Sequence, residues 1–67
     1  MFRKVSRQEY INKVGNLIRS GGYEFESTHN ETHEHYRISC IESKTKRLVA
    51  FREKIDGELK SFILEDE

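Results

Sequence analysis

The spacing of apolar residues along this chain changes period once, near residue 22. Before that point Tyr10, Ile11, Val14, Leu17 and Ile18 recur at helical spacing. At 100° per residue they fall within about 120° of one another. Glu9, Asn12, Lys13, Asn16 and Arg19 lie on the far side, and Arg7 projects onto the apolar side in the first turn, where its stem can lie flat and its head reach water. The start of this helix carries two signals. Ser6 and Glu9 match a capping box, and Val5 and Tyr10 match a hydrophobic staple. Ser20-Gly21-Gly22 ends it, with Gly21 expected as a left-handed cap.

Beyond residue 22 the period becomes two. Residues 23–28, YEFEST, alternate as a half-buried strand does, and a second strand is expected over 33–42. A four-residue loop at 29–32 would set Phe25 opposite Tyr36 and Tyr23 opposite Ile38, with Glu26 facing His35 and Glu24 facing Arg37. The stretch 48–64, LVAFREKIDGELKSFIL, is the most legible part of the chain. Asp56-Gly57 supplies the two positive-φ residues of a type I′ hairpin turn. Ile55 then faces Glu58, Glu53 faces Lys60, Phe51 faces Phe62 and Val49 faces Leu64. A turn at 43–46 with Glu42 facing Arg47 would set Cys40 against Val49 and Ile38 against Phe51.

These registers predict an α+β fold: one N-terminal helix packed on a four-stranded antiparallel meander (αββββ) in two layers. Residues 1–67 are expected to form a single small domain, with 1–4 and 65–67 frayed. The face beneath the helix would hold Tyr23, Phe25, Tyr36, Ile38, Cys40, Val49, Phe51, Phe62 and Leu64. The outer face would be mostly polar, with Glu24, Glu26, Arg37, Ser39, Arg52, Lys54 and Ser61. Ile41, Leu48, Ala50 and Ile63 share that outward parity, with Leu59 near the turn.

Composition narrows the function classes. Apolar residues make up 34% of the 67 and charged residues 36%. A chain this short buries only about 60% of its unfolded surface, so a partner or a second copy would add to a thin core. Twelve bases balance twelve acids, but in blocks. Residues 1–19 carry five bases against one acid, and 20–35 carry four acids and no base. Residues 36–54 carry six bases against two acids, and 55–67 one base against five acids. That blocking suits neighbouring strands of opposite sign and lacks the overall basic balance of a dedicated nucleic-acid binder. The single Cys40 excludes an internal disulfide and fits a reducing, cytoplasmic setting. No apolar region follows Met1-Phe2-Arg3-Lys4, so no signal peptide is expected. No run approaches the roughly 20 apolar residues of a membrane span.

Site chemistry is sparse. No Ser-His-Asp or Cys-His arrangement can be assembled from spacing, and Gly21-Gly22 follows a helix instead of opening one. A domain of this size leaves little room for a ligand pocket of about 300 Å³ or more. Neither catalysis, a small-molecule substrate nor a cofactor is expected. His33 and His35, two apart on a strand with Glu26 opposite, are the one arrangement that resembles metal ligands. Lys44, Lys46 and Arg47 form a basic turn that could touch phosphates, with outer-face arginines beside it. The outer patch Ile41, Leu48, Ala50 and Ile63, flanked by Arg37 and Arg52, reads as a surface for another protein or for a second copy. The expected function is therefore a small non-catalytic protein-binding module: an inhibitor, adaptor or accessory factor of the size encoded by phages and mobile elements. The alternative is a nucleic-acid-binding accessory protein.

Overall fold

The computed structural model describes residues 1–31 and 34–65. Its elements run β1 (Phe2–Val5), α1 (Arg7–Ser20), β2 (Tyr23–His29), β3 (Tyr36–Glu42), β4 (Leu48–Ile55) and β5 (Glu58–Leu64). All five strands form one antiparallel sheet in the order β1-β5-β4-β3-β2. The α+β class and the four-strand meander are as the sequence predicts. The fifth strand is not: where the sequence predicts fraying over 1–4, Phe2–Val5 pair with the outer edge of β5, Phe2 facing Leu64 and Val5 facing Ser61. Glu65 continues that ladder by donating its backbone N–H to the Met1 carbonyl. Four residues carry little strand signal alone; an unpaired β5 edge supplies the rest.

Ser6 caps α1 by accepting a hydrogen bond from the Glu9 N–H at 3.1 Å. The reciprocal half of the capping box is missing, because the Glu9 carboxylate accepts from Arg3 on β1. Arg3 also donates to Glu65, so one guanidinium ties β1, the first helical turn and the end of β5 together. These carboxylates, Glu9 foremost, push the Arg3 guanidinium above its ordinary value. Gly21 ends the helix with φ 82° and ψ 164°, an extended positive-φ conformation and not the left-handed helical one expected. Its N–H still reaches the Ile18 carbonyl at 3.2 Å.

The β4–β5 hairpin has the expected register from Ala50 opposite Ile63 to Ile55 opposite Glu58, and Asp56 and Gly57 take φ of 52° and 79°. The β2–β3 pairing is displaced by four residues: Phe25 faces Cys40, and Tyr23 faces Glu42. The longer loop is closed by Asn30, whose N–H donates to the His35 carbonyl while its side-chain oxygen accepts from the His35 N–H. An even displacement leaves every side chain on its expected face.

The β3–β4 pairing differs in a way that does change faces. Near the turn Glu42 faces Arg47 through a 2.9 Å hydrogen bond, and Ile41 faces Leu48, as expected. Between Cys40 and Ile41 the register slips by one, so Cys40 faces Ala50 and Ile38 faces Arg52. This β-bulge takes up one extra residue on β4. All of β4 beyond it, and β5 with it, is inverted relative to β3. The core beneath α1 is therefore Tyr10, Val14, Cys40, Ala50 and Ile63, with Val5, Leu17, Tyr23 and Val49 packed around it. Phe51 and Phe62, expected in that core, lie on the opposite face. Leu64 lines a cleft at the sheet's end with Lys13, Leu17 and Val49.

Candidate docking face

The helix covers one face of the sheet, and the other has no second layer among the described residues. On that bare face Phe51 and Phe62 are cross-strand partners with rings stacked at 4.8 Å and 21°. Phe2, delivered by β1, meets the Phe51 ring edge-on at 5.1 Å. From β3 the Arg37 guanidinium lies 4.0 Å above the same ring. Aromatic pairs of this geometry contribute about 0.5–1.5 kcal/mol beyond their buried area, and a cation over a ring at least about 0.5 kcal/mol. Phe51 is thereby left only 8% exposed although it lies on the face away from α1. Ile41, 6% exposed and facing Leu48, is buried on this face as well, outside the cluster under the helix. Phe2, Phe62 and Leu48 remain half-buried.

Charges ring this apolar centre with both signs. Lys4 faces Phe62 from β1, and Lys60 faces Glu53 across the β4–β5 hairpin. Glu24 and Glu26 share the face on β2. Lys46 donates to Glu24 at 2.6 Å, and that hydrogen bond pushes the ammonium above its ordinary value. The Arg37 Nε is buried and has no hydrogen-bond partner among the described residues.

The residues expected to form an outer patch divide between the two faces. Ile41, Leu48 and Arg37 are brought together on the bare face. Ala50 and Ile63, at 0% and 5% exposure, are core residues beneath α1. Arg52 is on the helix side, its guanidinium 5.6 Å above the Tyr10 ring. The bulge is the physical reason, since it reverses β4 and β5 relative to β3. Phe2 was missed with β1; the alternation Phe2, Lys4 against Arg3, Val5 ahead of a capped helix is the signal that could have found it.

In and just after the 43–46 turn, Lys44, Lys46 and Arg47 are all exposed, with Lys46 engaged by Glu24 and the Arg47 N–H donating to the Thr45 hydroxyl. Of the histidine arrangement, His33 lies outside the described residues. His35 has its Nε2 3.9 Å from an Asp56 oxygen. Glu26 faces Ser39, four positions along β3 from His35, so the displaced register separates the expected ligands. No group of three metal-ligating side chains occurs among the described residues. No described helix is long and apolar enough to cross a membrane.

Among the described residues the elements and this face together define a one-helix, five-stranded α+β domain with an aromatic cluster on the side away from the helix. No family model, curated protein or solved structure matches the chain.

Proposed function

We propose that this protein is a non-catalytic binding module whose working surface is the uncovered sheet face, and that its partner there is a folded protein. The observation that carries this reading is the Phe2–Phe51–Phe62 cluster with Arg37 stacked on it. An antiparallel sheet with one solvated face ordinarily alternates apolar-in and polar-out. Here β4 is apolar on both faces at its centre, Ala50 toward the helix and Phe51 away from it. Aromatic residues and arginine are also the types enriched at the centres of protein interfaces.

The charges favour a protein over a nucleic acid. Lys4, Arg37, Lys46 and Lys60 on or beside this face are matched by Glu24, Glu26, Glu53 and Glu58. A phosphate backbone needs a net positive track. The ring of Phe51, the most central aromatic, is already occupied by Arg37 and Phe62 and offers no surface for base stacking.

A photo-crosslinking residue placed at Ser39, the cross-strand neighbour of Phe51, tests this reading in cells of the source organism. The expected result is a discrete protein adduct from position 39 and none from Asn12 on the exposed side of α1. Adducts to nucleic acid alone, or none, overturn it.

A further inference from the structure

We infer that the occupant of the uncovered face is a second copy of this chain, stacked face to face about a two-fold axis that runs along the β4/β5 boundary. The inference rests on the docking reading above and adds the identity of the partner.

The pattern on the face is self-complementary about that line. A two-fold axis parallel to the strands exchanges positions equidistant from it, so β5 of one copy meets β4 of the other, and β1 meets β3. Phe62 then lies over the Arg37 guanidinium that caps the second copy's Phe51, and the same contact repeats across the axis. One row along, Lys60 meets Glu53 and Glu53 meets Lys60, giving two charge pairs of opposite sign. In the row at the other end, Phe2 of β1 meets Ile41 of β3. Lys4 of β1 meets Ser39 of β3 in the Phe51–Phe62 row, so no like charges are directly opposed across the axis, as an isologous interface requires.

Other arrangements fit worse. An in-plane axis perpendicular to the strands and running through the Phe51–Phe62 row would set Lys4 on Lys4 and Glu26 on Glu26. Edge-to-edge pairing of two β2 strands, centred on Phe25 or on Glu26, sets glutamate opposite glutamate. Like charges directly opposed across strands are destabilising. The β2 edge is in this sense guarded, and the sheet face is not.

The area is adequate for a weak, specific dimer. Four strands about 4.8 Å apart and three rows about 6.8 Å apart give a flat footprint of roughly 400 Å². Corrugation raises the accessible area, so a pair buries roughly 1,000 Å² in total, the lower bound for specific interfaces. Association in the micromolar range is the expected consequence.

The test is sedimentation equilibrium of the full chain from about 5 to about 500 μM, a span that brackets micromolar association. The mass should rise from 8.0 kDa toward twice that value. The decisive variants are Lys60→Glu and Glu53→Lys, each checked for folding by circular dichroism. Each alone opposes like charges across the axis and should weaken self-association roughly tenfold or more. Mixed together, the two variant chains should form a heterodimer that neither forms with itself, read by native mass spectrometry. Pairing within one chain cannot produce that rescue. A wild-type mass fixed at 8.0 kDa over the whole range, or mixing without rescue, overturns the inference. If the wild-type chain stays monomeric while position 39 still crosslinks to a different protein, the second-copy inference falls alone. Monomer and no adduct together remove the docking reading as well.

Discussion

Gly21 has a conformation that restricts its identity. At φ 82° and ψ 164° it occupies a region essentially reserved for glycine, while a Cβ built there meets nothing within 4 Å. Gly21→Ala should therefore cost about 1–3 kcal/mol through backbone strain alone, read as a lower urea midpoint with an unchanged slope. Two buried acids set a second residue-level expectation. Burial pushes the Cys40 thiol above its ordinary 9.0 and the Tyr10 hydroxyl above its ordinary 10.0. In the unfolded chain both groups lose their protons at those ordinary values, while the folded protein retains them. The unfolded state then binds fewer protons, so stability falls as pH rises. Urea midpoints should hold up to about pH 9 and decline above it, with Cys40→Ala delaying the onset of the decline. Much at this scale is legible from sequence: Ser6, Asp56 and Gly57 act locally, through their own backbone and the next few residues. Glu9 was half legible, because its carboxylate is claimed by Arg3, and the pairing of β1 beside the helix start brings Arg3 there.

At the scale of elements, β1 is the least expected and the most connected. It covers the β5 edge, places Phe2 against Phe51, and positions Arg3 to bridge Glu9 and Glu65. Phe2→Ala should cost about 1–2 kcal/mol, less than a fully buried phenylalanine because Phe2 is half-buried, and lower the Tm by about 7–14 °C. A change below about 0.5 kcal/mol would mean that β1 frays in solution. The helix and the β4–β5 hairpin are readable in the chain because each is specified by residues close in sequence. The β2–β3 register is not, since Phe25 can pair with Tyr36 or with Cys40 without changing face. Asn30 closing onto His35 accompanies the longer loop. The β3–β4 bulge was hidden for a different reason. Leu48, Val49, Ala50 and Phe51 are all apolar, so this stretch has no alternation to reveal which residue is the extra one.

At the scale of the whole molecule, one bulge redistributes the aromatic residues. Without it, Phe51 and Phe62 would lie under α1 and the outer face would carry small aliphatics. With it, the small side chains Cys40 and Ala50 sit under the helix with Ile63, Tyr10 and Val14, and two stacked phenylalanines face outward. Small residues allow one 14-residue helix to approach the sheet closely, but they bury little apolar area. The second face holds much of what remains. A domain built this way has apolar surface on both sides of its sheet and a cover for one. That imbalance is the physical basis for the proposed docking surface and for its proposed closure by a second copy.

The order of local signals in the chain determined the helix, its cap, the type I′ turn, the antiparallel meander and the α+β class, because each depends on residues a few positions apart. Tertiary structure alone decided which face each strand turns to the helix. A single inserted residue reverses every side chain beyond it, and its place is chosen by the packing of α1 on Cys40, Ala50 and Ile63, residues far apart in the sequence.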